Sequence, residues 1–335
     1  MAPSVRAKLD EDEWAFDWSA DEKAQWASCL ARSPWNRYPP AHVDLQRAIA
    51  EPLGLTHEWV SLGAGADEMI RNLLIAWGFR GTLVYPIPTN PLYAVIAQSL
   101  GVKHVAVLLR ADFSLPLEQV VATASSQEAN LVLVNNPNNP TGNLFSRDEI
   151  LSLARECDSL VVVDESYIEI SALSVSDALA EHENLAVIRS FSHAWPAASF
   201  RLGYLIAHPR VIREVEKVRS PQNVSAPALL AGQWLLAHEL ALRPRWMALA
   251  REREGVREAL SQLRDVVSWP SAANFLLVGT TLDSQDLAAR LLSRGVLVRS
   301  FSRSPLMNCI RVTIGDPELN GIFIEAMESI FGAAV

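Results

Sequence analysis

Short apolar runs recur along the chain and alternate with segments that have apolar residues at helical spacing. The clearest runs are LVLVN at 131–135, LVVVD at 160–164 and LAVIRSF at 185–191. Such runs are typical of strands buried on both faces, and intervening helices join them into a parallel sheet. The pattern therefore predicts an α/β fold whose functional loops lie beyond the carboxyl ends of the strands.

The pattern changes after about residue 220, where long helical segments precede a few strands such as NFLLV, GVLVRS and CIRVTI. This change predicts a smaller α+β domain. Residues 1–35 are acidic and rich in tryptophan, which suggests an arm that packs across another surface. We therefore expect an N-terminal arm at 1–35, a large domain at 36–220 and a small domain at 221–335.

Charge and cysteine usage exclude several classes of function. The formal net charge is −9 and the isoelectric point is about 5.3, which argues against nonspecific nucleic-acid binding. The three cysteines lack metal-site spacing, so we expect no metal and reduced thiols. The sequence shows neither a signal-peptide core nor a run of about eighteen apolar residues. We expect a soluble cytoplasmic protein that binds neither membranes nor nucleic acid.

Two segments carry groups suited to a phosphate ester. Phosphate binding needs backbone N–H groups at a helix N-terminus together with a cation. The stretch GAGADE at 63–68 supplies a loop that opens into a helix, and SFSHAWPAASFRLGY at 190–204 supplies Arg201. Ser190 and Ser192 add hydroxyl donors in the second segment.

Together with NNPNNPTG and DESY, these blocks resemble the fold-type I enzymes that use pyridoxal phosphate (PLP). The likeness is to the branch of histidinol-phosphate aminotransferases and threonine-phosphate decarboxylases, and it spans roughly residues 36–320. It implies a large domain with a mostly parallel seven-stranded sheet covered by helices, and a smaller α+β domain. It also implies a biosynthetic homodimer with shared active sites that acts on an amino acid or a keto acid.

The resemblance assigns cofactor contacts to individual residues. For the cofactor phosphate it implies Gly65, Ala66, Asp67, Ser190, Ser192 and Arg201, together with Tyr38 from the partner subunit. For the pyridine ring it implies Asp164 at the ring nitrogen, where a carboxylate keeps the ring protonated, and Asn139 and Tyr167 at the ring hydroxyl.

The resemblance also assigns the substrate site. Arg311 matches the arginine that binds the substrate carboxylate, because a guanidinium holds a carboxylate by two hydrogen bonds. Asn139, Asn90 and Tyr93 are the other predicted substrate contacts. His193, Asp164 and Tyr167 are the predicted catalytic residues.

The chain departs from the family at its central residue. The family has a lysine at position 193, which forms a Schiff base with PLP, whereas this chain has His193. Imidazole has no primary amine and cannot form that bond, but it transfers protons well near neutral pH. Asn90 stands where the family usually has an aromatic ring that stacks on PLP. The stretch 17–20 does not match the asparagine-containing motif of the family's arm.

Three functions follow from this departure. The first is an aminotransferase-like enzyme that binds PLP or pyridoxamine phosphate (PMP) without a covalent bond. His193 would then be the acid and base for half-transamination, elimination, cyclisation or decarboxylation. The second is an enzyme on the same scaffold that uses no PLP, and the third is a noncatalytic homologue that binds a ligand or a partner subunit. The presence of Asp164, Tyr167, Asn139 and Arg201 favours the first function.

Overall fold

The computed structural model of the chain describes residues 4–39, 42–78, 81–171 and 173–332. The strands in these ranges are β1 Ala7–Leu9, β2 Val60–Gly63, β3 Thr82–Ile87, β4 Lys103–Leu108, β5 Leu131–Asn135, β6 Leu160–Asp164, β7 Leu185–Ser190, β8 Gly203–Ala207, β9 Val266–Ser268, β10 Phe275–Thr280, β11 Val296–Ser300 and β12 Cys309–Thr313. The α-helices are α1 Ala20–Ala31, α2 Val43–Ala50, α3 Ala66–Leu73, α4 Leu92–Ser99, α5 Leu117–Ser126, α6 Arg147–Glu156, α7 Ile168–Ser171, α8 Pro209–Val218, α9 Ala226–Ala237, α10 Glu239–Ser261, α11 Ser284–Ser293 and α12 Pro317–Phe331. None of the helices in these ranges is both long enough and apolar enough to cross a membrane.

Seven strands form the large sheet, in the order β2-β8-β7-β6-β5-β3-β4. Strand β8 pairs antiparallel with both of its neighbours, whereas the other pairings are parallel. The central strands β5 and β6 are buried along their whole length because the sheet is covered on both faces. The predicted α/β fold with a mostly parallel seven-stranded sheet is confirmed.

Five strands form a second sheet, in the order β1-β11-β12-β10-β9. Strand β1 comes from the N-terminal arm and pairs parallel with β11, at the edge of a sheet otherwise built by the last third of the chain. The first part of the arm is therefore held by backbone pairing, which fixes the direction in which the next residues continue. The boundaries at residues 35 and 220 stay predictions.

The loops that carry the predicted site residues gather at one edge of the large sheet. Parallel strands β5, β6 and β7 end at Asn135, Asp164 and Ser190, and the loops that follow them leave from the same side. Because β8 runs in the opposite direction, the residues that precede it, including Arg201, lie at that same edge. The topology thus brings together groups that are far apart in the sequence.

A buried carboxyl group connects the loop after β7 to α7. Trp195 donates its indole N–H to Glu169 at 2.9 Å, and the other carboxylate oxygen of Glu169 is buried without a partner. Burial raises the pKa of Glu169 from its ordinary 4.5 to about 7, although Arg189 and Trp195 oppose the shift. The folded state therefore favours the protonated carboxyl.

We predict that Glu169 makes the protein less stable as the pH rises. Its contribution to the free energy of unfolding is fully present below pH 4.5 and is lost as the pH rises to about 7. Urea unfolding of Glu169→Gln should therefore show a gain over the wild type that is larger at pH 8 than at pH 5, by up to roughly 3 kcal/mol. The exposed Glu258→Gln is the control, and an equal effect of Glu169→Gln at both pH values would contradict the account.

Candidate active site

A cavity of about 520 Å³ lies between the loop edge of the large sheet and the small sheet. Its lining residues come from three parts of the chain. The large-sheet loops contribute Ala66, Asp67, Asn90, Asn139, Asp164, Ser166, Tyr167, Ser190, Ser192, His193, Ala198, Ser199 and Arg201; the small sheet contributes Arg299 and Arg311; and the arm contributes Asp10, Glu11, Asp12 and Glu13.

One end of the cavity has the donors that suit a phosphate. Arg201 lies against the start of α3, where it donates to Ser192 Oγ at 3.3 Å and to Asp67 at 3.1 Å. Gly65 is the N-cap of α3 and has a φ of +88°. A Cβ on Gly65 would lie 2.7 Å from the guanidinium of Arg201, so only glycine permits this approach.

Asp164 lies on the floor of the cavity with both carboxylate oxygens hydrogen-bonded. Ser166 donates its backbone N–H and its hydroxyl to one oxygen, at 3.1 and 2.5 Å, and Tyr93 donates its hydroxyl to the other at 2.6 Å. Burial raises the pKa of Asp164, while the hydrogen bonds from Ser166 and Tyr93 oppose the rise. The carboxylate is thus held in one orientation by donors from the turn after β6 and from α4.

Asp12 is the centre of a buried network that sequence reasoning missed. Arg311 Nη1 lies 2.7 Å from Asp12 Oδ2, and the same oxygen accepts from Tyr167 at 3.2 Å and from Asn139 at 3.3 Å. Arg311 also donates to Asn139 at 2.8 Å and packs over the ring of Phe275. These residues come from the arm, the small sheet and two loops of the large sheet, so the network joins every wall of the site.

The imidazole of His193 is held by the arm and by an aromatic neighbour. Its Nδ1 lies 3.0 Å from the carbonyl oxygen of Asp12, which can only accept, so Nδ1 carries the proton. In the neutral ring Nε2 is therefore the proton acceptor. The ring stacks on Tyr167 with centroids 4.7 Å apart, and Asn274 donates to the carbonyls of both Asp12 and His193.

Comparison with known proteins places this geometry in a family. The model of aminotransferase class I and II matches residues 9–327. A histidinol-phosphate aminotransferase of Synechococcus sp. (strain JA-3-3Ab) is 36% identical over 339 residues, which cover 98% of this chain and 94% of the relative. Histidinol-phosphate aminotransferase 1 of Ralstonia nicotianae is 39% identical over 336 residues, which cover 96% of this chain and 88% of the relative. The chain belongs to the class I and II aminotransferase family.

Solved structures agree with this assignment at the level of the fold. Histidinol-phosphate aminotransferase from Sinorhizobium meliloti, in complex with pyridoxal-5'-phosphate, superposes with a TM-score of 0.89 at 23% identity, covering 98% of this chain and 92% of that one. L-threonine-O-3-phosphate decarboxylase from Porphyromonas gingivalis superposes with a TM-score of 0.85 at 23% identity, covering 97% of this chain and 99% of that one. The family model and the two relatives confirm the predicted membership in an enzyme family of the PLP aminotransferase kind.

Lysine is the residue type that the family's cofactor bond requires. The chain has four lysines, Lys8, Lys23, Lys103 and Lys217, all in the described ranges, and none of them lines the cavity as described. Lys8 pairs with Glu11 and Glu13 at 2.7 and 2.5 Å. Burial lowers the pKa of Lys8, but the hydrogen bonds that Lys8 donates to these acids outweigh it and raise the pKa, so the amine stays protonated. A protonated amine is not a nucleophile.

Three predicted contacts lie away from the cavity. Tyr93 is fully buried and does not line the cavity. Its predicted role was direct substrate contact, whereas in this structure its hydroxyl donates to Asp164 and positions that carboxylate. Gly65 does not line the cavity either, and its part is to leave space for the guanidinium of Arg201. Tyr38 is 81% exposed and lies outside the cavity, and its role in a partner subunit stays a prediction. Asn90 does line the cavity, where its side chain accepts from the backbone N–H of Leu92.

No group of three or more His, Cys, Asp or Glu side chains in the described ranges could hold a metal ion.

Asp12 was not among the predicted site residues, because the family's arm motif was looked for at residues 17–20. The available signal was the acidic run DEDE at 10–13, directly after an apolar strand.

We predict that Gly65→Ala removes anion binding at Arg201. The new Cβ would displace the guanidinium, so affinity for inorganic phosphate should fall by about tenfold or more in calorimetric titration. Gly54→Ala is the matched control, since Gly54 also has a positive φ, +69°, but no atom lies within 4 Å of its Cβ position. Equal phosphate affinity in the wild type and both variants would contradict this assignment.

Proposed function

We propose that the protein is an aminotransferase-like enzyme that binds PLP or PMP without a covalent bond and uses His193 in place of the family's lysine. His193 moves a proton at the substrate carbon that bears the amino or carbonyl group. The observation that carries the proposal is the hydrogen bond from His193 Nδ1 to the carbonyl of Asp12 at 3.0 Å, which leaves Nε2 as the acceptor. The half-buried ring lies on the cavity wall beside Tyr167.

The cavity has the groups that such a cofactor requires. Arg201, Ser190 and Ser192 would hold the phosphate, and the close approach of Arg201 to Gly65 supports this use. Asp164 would face the ring nitrogen. Asn139 and Tyr167 would lie at the ring hydroxyl, where either could donate only after releasing its hydrogen bond to Asp12. When bound, the cofactor supplies an electron sink that eases loss of a proton from the carbon bearing nitrogen.

The substrate is a small amine or the corresponding carbonyl compound. The sequence prediction of an amino acid or a keto acid is one instance of this class, and its carboxylate would have to share Arg311 with Asp12. The names of the relatives make histidinol phosphate the first compound to assay. Half-transamination, elimination, cyclisation and decarboxylation all begin or end with a proton transfer that His193 can perform.

A homodimer with shared sites completes the proposal. Trp35 and Tyr38 are 77% and 81% exposed in the segment between α1 and α2. Exposed aromatic residues are common at protein interfaces, and the family resemblance gives Tyr38 to the phosphate site of the partner subunit. The removal of both rings from solvent would accompany dimer formation.

We predict that the purified protein takes up PLP or PMP at one equivalent per chain, and that borohydride leaves no pyridoxyl adduct. Mass spectrometry of the intact chain measures the adduct, and equilibrium dialysis measures the uptake. Absence of uptake at saturating PLP and PMP would contradict cofactor use, and a borohydride-stable adduct would contradict the noncovalent mode.

We predict that His193→Ala retains cofactor uptake but loses about 100-fold or more in turnover, because the variant keeps the binding groups and lacks the proton carrier. His182→Ala is the control histidine outside the cavity. His193→Lys tests the remaining groups, since a reducible covalent adduct in that variant would show that they still accept PLP. Wild-type turnover in His193→Ala would contradict the assigned role.

A further inference from the structure

Asp12 fills a position in which a substrate anion would otherwise meet its donors. Its Oδ2 receives hydrogen bonds or ionic contacts from Arg311, Asn139 and Tyr167, at distances between 2.7 and 3.3 Å. Its side chain is 3% exposed, and Asp12 lines the cavity. A carboxylate from the chain itself thus occupies Arg311 on the small-sheet wall and the donors that face it from the large-sheet loops.

The charges on this wall disfavour the binding of a second carboxylate. Asp12 neutralises Arg311, and Asp10, Glu11 and Glu13 line the cavity beside it. Arg299 is the other cationic side chain of the described residues on this wall, and it is exposed to solvent. A carboxylate brought to Arg311 would meet the Asp12 carboxylate at close range, and like charges in a desolvated site repel strongly.

Backbone hydrogen bonds hold Asp12 in place. Its N–H donates to Thr313 Oγ1 at 3.0 Å, and its carbonyl accepts from Asn274 at 2.7 Å and from His193 at 3.0 Å. Arg311 Nη2 donates to the carbonyl of Asp10 at 2.7 Å. Withdrawal of Asp12 would break these bonds together, so the side chain is a fixed part of the site.

We propose that Asp12 is a specificity-determining residue: it occupies the carboxylate position on Arg311 and disfavours substrates with a carboxylate beside the reacting carbon. The proposal rests on the proposed function for the identity of the reacting group, and it narrows the substrate class to amines and carbonyl compounds without that carboxylate. Amino acids and keto acids would then bind weakly, because their carboxylate has to compete with Asp12 for Arg311.

The test is calorimetric titration with succinate, a simple dicarboxylate, on protein without cofactor and again with PMP. Asp12→Ala should bind succinate at least about tenfold more tightly than the wild type, because it frees both the charge and the space at Arg311. Asp12→Asn removes the charge but keeps the shape, and should show a smaller gain. Asp17→Ala, an exposed acid of the same arm, is the matched control and should behave as the wild type.

Arg311→Gln locates the binding. In the Asp12→Ala background it should abolish the gain, because Arg311 is then the group that holds succinate. Succinate affinity of the wild type that equals that of Asp12→Ala, or a gain that survives Arg311→Gln, would overturn the proposal. If Asp12→Ala does not fold, Asp12→Asn with and without Arg311→Gln decides the question. Measurement without cofactor separates this outcome from a failure to bind PLP or PMP.

Discussion

The buried ion pair between Asp12 and Arg311 is the interaction on which the site depends. Removal of one partner of such a pair typically costs about 3–5 kcal/mol, because the other charge stays buried alone. Here the pair also joins the N-terminal arm to strand β12 and, through Asn139 and Tyr167, to two loops of the large sheet. The arm is therefore a wall of the cavity, and the shape of the site follows from where Asp12 is held.

The same residue affects the chemistry in two ways. Its carboxylate neutralises the arginine that would attract a substrate anion, and its carbonyl fixes the proton of His193 on Nδ1. The first effect selects the substrate, and the second prepares the base. Among the described residues, no lysine lines the cavity. An imidazole held in one tautomer can still transfer protons there.

Local sequence patterns predicted the sheet, and the family resemblance predicted most of the site residues. Short apolar runs such as LVVVD are typical of interior strands, and Asp164, Ser190 and Arg201 gather at one sheet edge once the strand order is given. The acidic run at 10–13 is visible in the sequence, but it does not distinguish Asp12 from its neighbours. The contacts of Asp12 with Thr313 and Arg311 depend on the parallel pairing of β1 with β11, which no local pattern predicts. Tyr93 was assigned to the substrate because the sequence gives no sign that its hydroxyl turns inward to Asp164.

The tautomer of His193 tests the central claim most directly. In protein labelled with ¹⁵N-histidine, long-range proton–nitrogen correlation separates the two ring nitrogens, and the signals lost in His193→Gln identify this residue. We predict that at pH values where the ring is neutral Nδ1 is protonated and Nε2 is not, because the Asp12 carbonyl accepts from Nδ1. A ring protonated on Nε2 would contradict the account, since the nitrogen available to a substrate would then have no lone pair to receive a proton.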